Sequence, residues 1–202
     1  GGLVVARQRR RRSEQWLLDN TPADGLVCGL GTVNAKVFGE RRARVMALSY
    51  DYTVLAGTQG ASNHYKQDRM FPLAARLRLP VCIFTEGGGG RPGDTEGLSV
   101  IGMDCTTFME FSKLSGLVPL VGICSGFCFA GNTALLGCCD VIIATSKSTI
   151  AMGGPAMIEG GGLGVYKPED VGPMSFQVPN GVVDILVDDD AAAVACAKKY
   201  LS

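Results

Sequence analysis

Two stretches of small residues in this sequence are spaced for chemistry carried by the backbone. The first is Glu86-Gly87-Gly88-Gly89-Gly90-Arg91-Pro92-Gly93-Asp94, directly after the apolar run Val81-Cys82-Ile83-Phe84-Thr85. Consecutive glycines leaving a buried strand can aim their N–H groups into a cleft, which makes an anion or oxyanion site. The same residues also read as a flexible surface loop. A dinucleotide fingerprint fits less well, because no helix with a third small residue follows at the required step.

The second stretch is Cys124-Ser125-Gly126-Phe127-Cys128-Phe129-Ala130-Gly131-Asn132, between the run Leu117–Ile123 and a predicted helix near 130–137. The first N–H groups of a helix have no intrahelical partner, and with the macrodipole they favour a negative oxygen. Small residues there let a ligand come close. Tight helix–strand packing explains the same pattern equally well.

Side-chain chemistry is thinner. The eight cysteines (Cys28, Cys82, Cys105, Cys124, Cys128, Cys138, Cys139 and Cys196) form no CxxC pair, and His64 is the one histidine, so no zinc site of ordinary spacing is expected. Most of the cysteines sit in apolar runs, as reduced core thiols of a cytoplasmic protein do.

The elements that must position these turns follow from hydrophobic patterning. Strands are expected at Leu26–Val33, Arg44–Tyr50, Val81–Thr85, Leu117–Ile123, Val141–Ala144, Ser148–Met152 and Val182–Val187, with Lys36–Phe38 continuing a hairpin. Helices are expected at 7–18, 62–77 (apolar positions Met70, Leu73, Ala74 and Leu77), 98–115, 130–137 and 190–201. Asn20–Gly25 reads as a turn, and Gly153–Gly164 as a glycine-rich loop. Strand, loop, helix and strand recur three times, which predicts an α/β fold with a mainly parallel sheet, flanking helices and ligands beyond the carboxyl ends of the strands.

Composition bounds the function. With 202 residues and 47% apolar residues, the chain suits one domain with a sizeable core. Basic and acidic residues number 19 each, which argues against a nucleic-acid binder. Five of the arginines fall within Arg7–Arg12, where a solvated helix face or a partner contact is expected rather than nucleic acid or lipid. No run reaches the roughly 18 to 20 apolar residues of a membrane span. The opening Gly1-Gly2-Leu3 has no methionine and no signal-peptide layout, so the chain reads as a piece of a longer protein.

Several motifs in order resemble one family. Ser125 to Gly131 followed by Cys139 to Ala144 is similar to the second signature of the crotonase superfamily. Glu86-Gly87-Gly88-Gly89-Gly90-Arg91 resembles the loop of its carboxyltransferase branch, where an acid, a small residue, two glycines, a small residue and an arginine follow one another. Asp24–Val33, Ser49–Gly60, Ile150–Pro155 and Gly181–Asp184 resemble further elements, so the likeness runs from about residue 13 to the end.

The resemblance implies a crotonase-like ββα-superhelix over residues 21–202, with 1–20 a basic extension of the same 1–202 domain. It implies the N-terminal, acyl-CoA-binding domain of a biotin-dependent acyl-CoA carboxylase carboxyltransferase. In that family carboxybiotin releases CO2 beside the α-carbon of the acyl-CoA, and the ureido nitrogen takes the α-proton. The enolate then attacks CO2. By carry-over the oxyanion donors are the N–H groups of Gly88, Gly89, Ala130 and Gly131, while Ser49, Gly57, Gln59 and Arg91 line the CoA wall. Arg91 meets a CoA phosphate or pairs with Glu86 or Asp94. The implied partners are a C-terminal carboxyltransferase domain, a biotin carboxyl carrier and a biotin carboxylase, in a homo-oligomer, with no metal in this domain.

Three other readings stay open. An enoyl-CoA hydratase or isomerase would use Glu86 or Glu110 for proton transfer. A serine hydrolase would use Ser125, His64 and Asp140. An inactive acyl-CoA-binding or assembly module would need none of these.

Overall fold

The computed structural model describes residues 13, 15–16, 24–91 and 105–202. The expected helix over 7–18, the turn from Asn20, and the segment from Pro92 through Asp94 to Asp104 lie wholly or largely outside the described residues.

A six-stranded sheet forms the frame. Its strands are β1 (Leu26–Thr32), β2 (Arg44–Tyr50), β3 (Val81–Phe84), β4 (Leu120–Cys124), β6 (Val141–Thr145) and β8 (Ile185–Val187), in that spatial order. Only β1 runs antiparallel to its neighbour; the other four pairings are parallel. Every residue of β4 and β6 is buried, as their unbroken apolar runs require of central parallel strands. A second, two-stranded parallel sheet pairs β5 (Phe127–Phe129) with β7 (Thr149–Ala151).

Helices cover both faces. They are α1 (Ala35–Phe38), α2 (Ala61–Leu77), α3 (Thr107–Ser112), α4 (Gly131–Leu136), α5 (Pro155–Gly160), α6 (Met174–Gln177) and α7 (Asp190–Tyr200). On one face Phe71 of α2 and Phe111 of α3, with ring centroids 4.7 Å apart, pack with Leu26, Met46, Leu48, Ile83 and Leu120. On the other face Ala193 and Ala197 of α7 pack on Val121, Ile123, Val141 and Ile143. Fully burying a side chain such as Ile83 or Phe71 stabilises the fold by about 1.5–3 kcal/mol.

Most strand and helix expectations agree with these elements; several details differ. Phe127–Phe129, expected within a turn, is the strand β5. Of the helix expected over 98–115, residues 98–104 lie outside the described residues and the helical part is Thr107–Ser112. Ala35–Phe38 is a helical turn rather than a hairpin extension, opened by Asn34 at φ 59° and closed by Gly39 at φ 76°. Gly153–Gly164 contains α5, started by Pro155 at its first position, where a missing N–H costs nothing. The last strand is shorter, at Ile185–Val187. The buried face of α2 is Asn63, Gln67, Phe71 and Ala74, and Leu77 is exposed. That face turns polar toward the amino end, because the first half of α2 lies beside the loops described next.

Candidate functional site

The loops beyond the carboxyl ends of β2, β3 and β4 meet. After β2 the chain makes a left-handed turn, with Leu55, Ala56 and Gly57 at φ 50°, 56° and 62°. Two of these are not glycine, so the turn carries strain that its surroundings must hold. Gly57 is irreplaceable for a second reason. A Cβ there would overlap the Glu86 carbonyl oxygen and lie 3.0 Å from Gly87 Cα.

The glycine loop after β3 is tied down by its own N–H groups. Gly87 N–H donates to the Phe127 carbonyl (2.8 Å) and Gly88 N–H to the Ala56 carbonyl (3.1 Å). Gly89 N–H donates to Asn132 Oδ1 at 3.0 Å. Gln59 N–H donates to the Gly89 carbonyl, and Arg91 N–H to the Gln59 carbonyl, both at 2.7 Å.

The second turn abuts the first. Gly89 adopts φ 83°, and a Cβ on it would stand 2.5 Å from Ala130 Cβ and 3.4 Å from Gly131 N. Ala130 itself sits at φ 52°, ψ −121°, a region that non-glycine residues rarely enter. Its N–H donates to the Ala151 carbonyl at 3.2 Å. Gly131 opens α4, and its N–H has no acceptor among the described residues. The four expected donors are thus brought together, but in this conformation three of them hold loops and one, Gly131, is open to a ligand oxygen.

The expected wall residues take different places. Gln59 is buried, and its Nε2 donates to the Tyr50 hydroxyl at 3.0 Å, as Gln67 Nε2 does at 2.8 Å. A Cβ on Gly131 would overlap Gln59 Oε1, so this amide lies directly against the Gly131 Cα. Arg91 is 8% exposed; its guanidinium donates to the carbonyls of Thr58 (2.8 Å) and Asp24 (3.3 Å) and to Thr58 Oγ1 (3.2 Å). Glu86 is not among those partners. Ser49 is the last residue but one of β2, so alternation puts its side chain on the sheet face opposite that of Tyr50.

Glu86 accepts a short hydrogen bond from Ser125 N–H. Burial raises its carboxyl above the usual range, and that bond pulls in the other direction. The hydrolase grouping does not form. His64 Nδ1 lies 2.9 Å from Thr107 Oγ1, which donates to Asp68 Oδ1 at 2.5 Å. Asp140 Oδ2 accepts from Leu120 N–H at the far end of the strands, while Ser125 Oγ meets Thr145 Oγ1 at 3.3 Å. Glu110 pairs with Lys113 on α3.

Sequence reasoning gave no role to Asn132, Tyr50, Thr58 or Asp24, all of which hold this site. The readable signal for Asn132 was a lone amide amid small and apolar residues at a helix start. For the others there was none, since Tyr50 meets the Gln59 and Gln67 amides, and Thr58 and Asp24 meet the Arg91 guanidinium, only once the loops have folded together.

Residues 4–202 match the carboxyl transferase domain family. The chain is 31% identical over 197 residues to the methylmalonyl-CoA carboxyltransferase 12S subunit of Propionibacterium freudenreichii subsp. shermanii, covering 96% of this chain and 36% of that protein. Among solved structures, a single-chain, multi-domain long-chain acyl-CoA carboxylase superposes with a TM-score of 0.88 at 62% identity, over 96% of this chain and 19% of the other. The transcarboxylase 12S hexamer with hydrolysed methylmalonyl-CoA bound superposes with a TM-score of 0.73 at 30% identity, over 89% of this chain and 33% of the other. The chain therefore spans about a third or less of the length of these relatives.

Proposed function

This chain belongs to the carboxyl transferase domain family, and from that premise we propose that it supplies the acyl-CoA side of a biotin-dependent carboxyl transfer. The observation that carries the reading is the meeting of the two glycine turns. Gly89 lies against Ala130 and Gly131, with the Gly131 N–H open, beyond the carboxyl ends of parallel strands.

The carboxyl donor is a biotin brought by a carrier outside the described residues, and it supplies CO2 beside the acyl group. The chain's own task is to hold the thioester and stabilise its oxygen as the α-proton leaves. Gly131 N–H is the donor for that oxygen, and a lost oxyanion donor of this kind typically costs about 3 kcal/mol of transition-state stabilisation. Gly88, Gly89 and Ala130 shape the wall; Gln59 borders it, and Gly57 lets the loops close together. Arg91 acts from within, by fixing Thr58 and Asp24 against the glycine loop, and the CoA runs past Ser49. Glu86, committed to Ser125 N–H, is not set up as the proton-transfer carboxylate that a hydratase needs.

A second carboxyltransferase domain, a biotin carboxyl carrier and a biotin carboxylase complete the reaction in an oligomer. An exposed apolar stretch of Met152, Met157, Leu163, Val165, Tyr166 and Phe176 supports a partner surface beside the site. The identity of 62% with the long-chain acyl-CoA carboxylase puts long acyl thioesters first.

Calorimetry of the full chain with acetyl-, propionyl- and palmitoyl-CoA tests the reading, with binding of at least one expected. No binding to any of the three, or hydration of an enoyl-CoA without biotin, overturns it.

A further inference from the structure

We infer that Asn132 is a positioning residue for carboxyl transfer, a buried clip that joins the two glycine turns to the turn after β2. The inference rests on the acyl-CoA reading and deepens it.

Asn132 is fully buried, and both ends of its amide are engaged. Oδ1 accepts the Gly89 N–H at 3.0 Å, and Nδ2 donates to the Gly57 carbonyl at 3.3 Å. A buried amide whose two ends both have partners does not rotate freely, since turning it would strand a buried donor and acceptor at once.

The surroundings are shaped for this amide. A Cβ on Gly87 would overlap both Asn132 Nδ2 and the Gly57 carbonyl oxygen, so the glycine at 87 makes room for the clip rather than for substrate. Gly57, at φ 62°, turns its carbonyl to Asn132. Three segments far apart in sequence thus converge on one side chain.

The consequence for chemistry comes from the neighbouring residue. Gly131, whose N–H is open, is bonded directly to Asn132. Fixing Asn132 to Gly89 and Gly57 therefore fixes the Gly131 peptide against the glycine loop and the CoA wall. No other type fills both roles at this size. Aspartate accepts from Gly89 but gives nothing to the Gly57 carbonyl; leucine gives neither bond; serine is too short to span both.

The test uses the full chain with its biotin-bearing partners and compares wild type with Asn132→Ala and Asn132→Asp. Acyl-CoA affinity by calorimetry is expected to change less than about threefold in both, while kcat for carboxyl transfer falls about 100-fold in the alanine variant and about tenfold in the aspartate variant, as misplacement by an ångström does. Hydrogen exchange of the wild-type Gly89 amide is expected to be as slow as that of β3 and β4. An unchanged kcat, or a loss confined to KM, overturns the clip even where acyl-CoA binding stands. If both variants fail to fold, fast exchange of the wild-type Gly89 amide overturns it alone. If the wild type binds no acyl-CoA, the functional reading falls and the clip with it.

Discussion

Adding one methyl group at two adjacent glycines gives very different outcomes in this loop. Gly89→Ala forces an alanine into φ 83° and sets its Cβ 2.5 Å from Ala130 Cβ, which is attached directly to the backbone and cannot swing aside. The left-handed conformation costs about 1–2 kcal/mol, and overpacking a rigid contact adds about 1–3 kcal/mol. Reduced freedom of the unfolded chain returns about 0.4–1 kcal/mol, leaving a loss of about 2–4 kcal/mol. Gly88 has no such constraint. Its added Cβ would meet only Thr58 Cγ2 at 3.1 Å and the Ala56 carbonyl oxygen at 3.8 Å, so Gly88→Ala stays within about 1 kcal/mol of wild type. Urea denaturation followed by circular dichroism measures both. A difference of about 2–4 kcal/mol corresponds to roughly 4–16 °C in Tm for a chain of this size. If the two variants lie within about 1 kcal/mol of one another, the left-handed Gly89 and its contact with Ala130 are refuted.

Ala130→Gly relieves the φ 52°, ψ −121° conformation, so stability should hold or rise by up to about 1 kcal/mol in the same assay, where alanine to glycine ordinarily loses about 0.5–1 kcal/mol; a larger loss would show that Ala130 is not strained. Arg91→Lys keeps the charge but not the fork that reaches Thr58 and Asp24, and should lower stability by about 1–3 kcal/mol, an effect absent if the guanidinium serves only a ligand. Burial holds His64 below its usual 6.5, with Asp68 opposing. The unfolded chain therefore binds the extra proton first, and stability falls as pH drops below about 6.5 toward the folded value. His64→Gln should remove that component of the denaturation profile between pH 7 and 5; an unchanged profile contradicts it.

The frame of the fold was legible because its strands advertise themselves. Val81–Phe84, Leu120–Cys124 and Val141–Ala144 are short apolar runs of strand length, as central parallel strands read. The glycine turns were legible as a locus for the same reason, since each follows such a run. What the residues do there was not. That Gly88 N–H meets Ala56 and Gly89 N–H meets Asn132 depends on loops folding back from distant parts of the chain, and nothing local in Glu86–Arg91 encodes those acceptors. Arg91 read two ways, toward a CoA phosphate or a nearby carboxylate, and its bonds to the Thr58 and Asp24 carbonyls were not legible, because those acceptors lie 33 and 67 residues away. The helix Pro155–Gly160 was hidden by flanking glycines, which outweighed the Pro155 start signal.

The bonds that close the site span long stretches of chain. Arg91 reaches Thr58 across 33 residues and Asp24 across 67, and Asn132 reaches Gly89 across 43 and Gly57 across 75. Each closes a large loop whose entropy is recovered only once β2, β3 and β4 are paired. The site is therefore expected to assemble after the sheet rather than with it. A ribosome-bound chain that has emerged as far as Arg91 already carries every glycine of the first turn but cannot hold them in place, because Asn132 is still to come. Any ligand that binds only the closed site would then act on newly made protein as a selector of completed molecules, drawing the folding equilibrium toward those whose last loop has closed.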